Sequence, residues 1–222
     1  MREGETVDDV LATLKAGIRR FRKDVYPEHQ EIYRKAASEP QRPHALFVAC
    51  ADSRIDPELI TQSGPGDIFV TRNIGNLVPA YGEMLGGVSA VIEYAVMALK
   101  VQHVVVCGHS DCGAMKGLLH PEALKKMPTV QRWLRNADAA LSVASSLGEP
   151  DEKPSVLMRR LTEENVLLQL QHLRTHPSVA GAMAREELTI SGWVYDIGTG
   201  EVRISEDGGR VFRLVTTEGE NA

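Results

Sequence analysis

A chain of 222 residues with 43% hydrophobic side chains has material for one large packed domain, and its formal net charge of −5 argues against general affinity for nucleic acid or anionic membrane. No run approaches the roughly 18 uninterrupted apolar residues of a membrane helix, and the opening MREGETVDDVLATLKAG carries early acidic residues that a signal peptide lacks. Three cysteines are too few, and odd in number, for a disulfide framework; they fit a reducing, cytoplasmic compartment, where clustered Cys and His suggest metal or catalysis.

Residues 7–26 space Val7, Val10, Leu11, Leu14, Ile18 and Phe21 as one face of an amphipathic helix, which either covers its own core or reaches across a partner subunit. HALFVAC (44–50) follows Pro43 as a short apolar run and reads as a buried strand; GDIFVTRN (66–73) is a second. SAVIEYAVMALK (89–100) is a mostly apolar helix, and QHVVVCGH (102–109) is the most strand-like run of the chain. This alternation of strand and helix predicts an α/β fold: a central, mostly parallel sheet of four to five strands flanked by helices. Residues 116–152 read as short helices and loops, and 155–188 as two helices broken near THPS. TISGWVYDI (189–197) alternates like a strand and turns through GTGE into VRIS, an edge hairpin; the closing TTEGENA looks frayed. No repeat or clear linker interrupts the chain.

All three cysteines lie in two short stretches, CADSRIDPELI from Cys50 and CGHSDCGAMKG from Cys107. Cys50 ends the first strand, and His109 and Cys112 lie at and just past the end of another. In an open parallel sheet the carboxyl ends share one edge, where ligand crevices form. His-x-x-Cys can hold one metal from a single turn, and Cys50 supplies a third ligand from the neighbouring strand. Two thiolates and an imidazole suit zinc, and three protein ligands leave a fourth position open, as in catalytic sites. Any one of these cysteines alone would read as packing, and Cys107, inside the strand, reads as a small core residue. Asp52 stands close enough to touch a metal-bound water, or to bind the metal and close the site; Arg54 could hold it by a bidentate pair. By spacing alone the two read equally as a surface ion pair. Zinc with an open position lowers the pKa of its water from 15.7 toward about 7. Two thiolates donate more charge than imidazoles, so a higher value and a mildly alkaline optimum are expected.

CADSR followed by GHSDCGA resembles the β-class carbonic anhydrases, whose pattern is Cys-x-Asp-x-Arg and then His-x-x-Cys. PGDIFVTRNIGNLVP, GGVSAVIEYAV and GWVYDI extend the likeness from about residue 40 to 200. The resemblance implies one zinc ion per chain on Cys50, His109 and Cys112, and reversible hydration of carbon dioxide to bicarbonate and a proton by zinc-bound hydroxide. It implies that Asp52 accepts a hydrogen bond from that hydroxide and that Arg54 keeps Asp52 off the metal. Gln41, Phe69 and Tyr94 match substrate-pocket positions, the aromatic pair belonging to a facing subunit or the interface, so a homodimer or higher even oligomer is implied. Gly108 and Gly113 flank the metal loop as backbone positions and donors, Gly113 being counted with the substrate-binding set. The chain is thus expected to be a single domain, with a helical arm over 1–38 and a catalytic core over 39–215.

Some positions depart from parts of the family. Phe47 stands where bacterial members with a separate bicarbonate site carry Trp, although Arg72 and Tyr195 match the rest of that site; with Gln41 present, the always-open form is favoured. Ala98 occupies the place of a shuttle histidine found in some plant members. His29, His44, His103, His120, His172 and His176 read as solvated or structural. THPSVAGA and GGVSAVIEYAV resemble bacterial members, including those found beside cyanate-degrading enzymes. Rival readings are a hydrolase of carbonyl sulfide or carbon disulfide on the same ligands, a non-catalytic bicarbonate binder, which would need a lost ligand, Asp or Arg, and a zinc dehydrogenase, which lacks its Gly-x-Gly-x-x-Gly loop.

Overall fold

A computed structural model of the chain describes residues 6–82, 86–206 and 208–216. The chain divides into two compact units, Met1–Gln41 and Arg42–Ala222.

In the first unit, α1 (Val7–Arg20) starts at a reciprocal cap. Thr6 Oγ1 accepts from the Asp9 N–H, and the Thr6 N–H donates back to Asp9 Oδ2. The helical path expected over 7–26 continues past α1 as a wider π turn, Phe21–Val25, before α2 (Gln30–Ser38). Phe21, Tyr26 and Tyr33 cluster with ring centroids 5.4–6.1 Å apart and tie the two helices together. The apolar stripe of α1 is exposed, Val7 by 77%, Leu14 by 61% and Ile18 by 60%.

The second unit is built on a sheet of order β2-β1-β3-β4-β5-β6. Its strands are β1 (Ala45–Cys50), β2 (Ile68–Asn73), β3 (His103–His109), β4 (Thr189–Tyr195), β5 (Val202–Ser205) and β6 (Arg213–Leu214). The first four are mutually parallel, and β5 and β6 add antiparallel. The sheet is one strand wider than the upper expectation because the two-residue β6 pairs beyond the hairpin. The expected frayed tail begins at Thr216 and otherwise lies outside the described residues.

Nine short-to-long α-helices are described in all, the second unit contributing α3 (Pro57–Thr61), α4 (Gly87–Glu93), α5 (Gly113–Leu119), α6 (Pro128–Leu134), α7 (Asp138–Ser146), α8 (Pro154–Arg174) and α9 (Pro177–Ala184). The apolar helix expected over 89–100 is α4 followed by a π turn, Tyr94–Ala98. Every residue of β1 is buried, because both faces of a central parallel strand are covered. Leu46 and Val48 join Val104, Val106 and the α8 residues Val166 and Leu170 on one side; Phe47 and Ala49 join Val105 and Cys107 on the other. Each buried Leu, Val or Phe among them contributes roughly 1.5–3 kcal/mol by leaving water.

α8 lies unusually close to the sheet. A Cβ on Gly108 would stand 2.8 Å from Val166 Cγ2, and one on Gly192 2.6 Å from Val166 Cγ1. Glycine at both positions is what admits the helix. From there α8 satisfies the irregular segment after β2: Gln169 Oε1 accepts from the Val78 N–H at 2.9 Å and Asn165 Nδ2 donates to the Gly75 carbonyl at 3.1 Å.

Candidate metal centre

The chain leaves β1 for β2 on one side and later enters β3 on the other, so the loops leaving β1 and β3 diverge. Crevices in parallel sheets form at such switch points, outside the carboxyl ends. Cys50 is the last residue of β1, His109 the last of β3, and Cys112 directly precedes α5. Their candidate ligand atoms all lie within 4.8 Å of one another, with the two sulfurs 4.0 Å apart. All three residues are buried.

The donor chemistry fits a metal ion. His109 Nδ1 faces the Ser110 carbonyl at 2.8 Å, and a carbonyl only accepts, so the proton sits on Nδ1. Nε2 then carries a free lone pair. It is buried without a hydrogen-bond partner, which ordinarily costs about 1–3 kcal/mol. A cation between the two sulfurs and this nitrogen would remove that cost. Backbone N–H groups of Gly75 and Asp52 favour the Cys50 thiolate, and those of Ala114 and Met115 favour that of Cys112. The strongest influence on each thiol is the other: the contact with Cys112 pulls the Cys50 pKa down, and the contact with Cys50 pushes that of Cys112 up. Cys107 stands apart, packed with Phe47 and Ile55, and burial pushes its thiol up to about 12.

Asp52 Oδ2 lies 4.0 Å from His109 Nε2. Arg54 grips this carboxylate on both oxygens, Nε to Oδ1 at 2.9 Å and Nη2 to Oδ2 at 2.8 Å, while its backbone N–H donates to Oδ1 at 3.0 Å. These hydrogen bonds hold the Asp52 carboxyl well below the usual range and raise Arg54 in turn. The Asp–Arg spacing therefore forms a bidentate pair beside the candidate metal centre.

The remaining sequence candidates are more dispersed. Gly113 opens α5, and a side chain there would meet open space. Phe69 and Tyr94 face each other at 6.1 Å, and Tyr94 is half exposed. In register, Asn73 pairs with Cys50 while Phe69 pairs with Leu46, which puts Phe69 about 13 Å down the strand from the end that carries the cluster. Gln41 is exposed at the end of the first unit, outside the unit that carries the cluster. Arg72 is engaged with backbone, donating to the carbonyls of Cys50 at 3.1 Å and Asp52 at 2.6 Å. Sequence reasoning missed Asp111 and Lys116. Asp111 Oδ2 accepts from Arg54 Nη1 at 3.0 Å and Oδ1 pairs with Lys116. The one available signal was an acid inside the His-x-x-Cys turn.

The family model described as carbonic anhydrase matches residues 45–202. The chain is 45% identical over 196 residues to a carbonic anhydrase of Pseudomonas aeruginosa, covering 88% of each chain. It is 47% identical over 193 residues to one of Synechococcus elongatus, covering 86% of this chain and 70% of that one. Among solved structures, the β-carbonic anhydrase CcaA superposes with a TM-score of 0.88 at 37% identity, over 94% of this chain and 93% of that one. With likeness spanning both the sequence and the fold, the chain belongs to the β-class carbonic anhydrases, zinc-dependent enzymes that interconvert carbon dioxide and bicarbonate.

Proposed function

We propose that Cys50, His109 and Cys112 hold one zinc ion per chain and that carbon dioxide is hydrated beside it, with Asp52 and Arg54 as the working pair. The observation that carries this assignment is the partnerless Nε2 of His109, buried against two sulfurs. Bound zinc would supply a Lewis acid that activates water near neutral pH.

The chain's own groups divide the remaining work. An ionised carboxylate only accepts hydrogen bonds, so Asp52 orients the O–H of the attacking water and turns its lone pair toward carbon dioxide. Arg54 occupies both Asp52 oxygens and opposes a swing of that carboxylate onto the metal. The Gly113 N–H, in the first turn of α5, has no intrahelical acceptor and donates to a substrate oxygen. Carbon dioxide is apolar and needs an apolar wall. Phe69 and Tyr94 supply one, but Phe69 lies well down its strand from the carboxyl end that carries the cluster and Tyr94 packs on Phe69, so the wall comes from a second copy across the exposed Tyr94 face near edge strand β2. The working unit is accordingly a homodimer or higher even oligomer. One solved relative, from Sordaria macrospora, is described as tetrameric.

Arg72 is spent on the carbonyls around Asp52, which supports the always-open form over one with a separate bicarbonate site. No helix among the described residues is long and apolar enough to cross a membrane. Three free cysteines suit a reducing compartment, so we place the protein in the cytoplasm, supplying or retaining bicarbonate for carbon utilisation.

The test is stopped-flow hydration of carbon dioxide, normalised per bound zinc, from about pH 6.5 to 9. Turnover at every pH, rising toward the alkaline end as the bound water ionises, is the expected result. Turnover confined to the alkaline end would overturn the always-open assignment if bicarbonate titration also shows a closing site. No turnover at one zinc per chain would sink this assignment of the site and bring carbonyl sulfide and carbon disulfide forward as substrates.

A further inference from the structure

Asp111 lies inside the turn that carries His109 and Cys112, yet the reaction described above does not use it. Its backbone sits at φ 59°, in the left-handed region that Asp tolerates better than most residues, so its carboxylate leaves the turn in a set direction. That direction leads to Arg54. The guanidinium is a rigid planar fork: Nε and Nη2 serve Asp52, Nη1 serves Asp111 Oδ2 at 3.0 Å, and Nη2 also reaches the Asp111 carbonyl at 3.3 Å. Lys116, from α5, pairs with the other oxygen, Asp111 Oδ1.

We propose that Asp111, anchored by Lys116, is a positioning residue that locks the outer edge of Arg54 and so keeps Asp52 turned away from the metal. The proposal rests on the role given above to Asp52 and Arg54. Arg54 cannot rotate off Asp52 without breaking its contacts with Asp111, and Asp111 cannot follow without leaving Lys116. Lys116 also balances charge, since two carboxylates otherwise compete for one guanidinium. The side chains of Arg54, Asp111 and Lys116 are 44%, 53% and 50% exposed. Such pairs add little stability, so the consequence is one of geometry: Asp52, 4.0 Å from the ligand nitrogen of His109, is close enough to become a fourth ligand once released.

The test uses the full-length protein with Co(II) replacing zinc, so that the metal's surroundings are read by visible absorption, with thiocyanate as a probe for the open position. Asp111→Asn keeps the size and the tolerance of the left-handed backbone. It offers one acceptor oxygen where Arg54 and Lys116 each use their own, and turns an NH2 toward the other cation. The expected result is full metal content with thiocyanate affinity lowered about tenfold or more, the scale of effect seen when groups supporting metal ligands are changed. Lys116→Gln should move it the same way by a smaller factor. Adding Asp52→Asn to Asp111→Asn should restore thiocyanate binding, because the released side chain is then a poor ligand; a merely structural lesion would not be rescued. Asp111→Asn and Lys116→Gln proteins that titrate like wild type overturn the proposal alone. If Asp111→Asn does not fold, Lys116→Gln and its Asp52→Asn double variant decide. A wild-type Co(II) protein blind to thiocyanate would overturn the open-site reading beneath it, and the proposal with it.

Discussion

His103 opens β3 and His109 closes it, and the two rings meet opposite treatment. His103 is half-buried with both nitrogens engaged, Nδ1 on Thr189 Oγ1 at 2.6 Å and Nε2 on Ser191 Oγ at 2.7 Å. The direction of that chain follows from its ends. The Trp193 indole can only donate, to Ser191 at 2.8 Å, and the Gln102 carbonyl can only accept, from Thr189 at 3.3 Å. Ser191 therefore donates to Nε2, and Nδ1–H donates to Thr189. His109 also spends Nδ1 on an oxygen, but its Nε2 faces two sulfurs and finds no donor. At the amino end of the sheet the polar groups satisfy one another. At the carboxyl end the His109 lone pair is left over, and that remainder is what the proposed metal site would use.

Substituting each histidine is the strongest way to break this comparison. His109→Ala is expected to abolish zinc retention and hydration activity. His103→Ala should keep zinc content and turnover but lose about 1–3 kcal/mol of stability, through the partners left unpaired. Metal analysis beside thermal unfolding checks both; equal zinc loss in the two variants would refute the division of roles.

The cysteines sharpen it next. With zinc bound, thiol reagents should find little to modify. After chelation, Cys50 and Cys112 should react in the folded protein, while Cys107, held as a thiol with its pKa pushed up to about 12, reacts only on unfolding. Timed thiol titration with peptide mapping reads this directly, and early modification of Cys107 would refute it.

The smallest effect concerns pH. Burial lowers the His103 pKa. Its neutral network therefore contributes fully above the ordinary histidine value near 6.5 and fades as pH falls through the lowered folded-state value. The Tm difference between wild type and His103→Gln should shrink by about a degree or two on acidification below that value. A difference that grows with falling pH would contradict it.

Much of this was legible in the chain itself. ALFVAC and HVVVCGH read as buried strands because runs this apolar suit strands covered on both faces, and parallel strands bring their carboxyl ends to one edge. Cys50, His109 and Cys112 could be grouped from that alone. The sixth strand was not legible, since two residues form a strand only when a neighbour offers its edge. The π turns after α1 and α4 likewise leave no mark in hydrophobic spacing.

The sequence by itself determined the class of chemistry: which residues can bind a soft cation, and that they lie at strand ends. Local periodicity and residue type suffice for that. Only the tertiary structure decided which nitrogen of His109 is free, that Asp111 meets Arg54 across 57 residues, that Arg72 holds the carbonyls around Asp52, and that Asn165 and Gln169 of α8 satisfy the segment after β2. Each of these depends on strand register, on the direction in which a loop leaves its strand, or on how closely a helix can approach a sheet through Gly108 and Gly192. Those quantities are set by packing between segments distant in the chain, and no pattern within a segment encodes them.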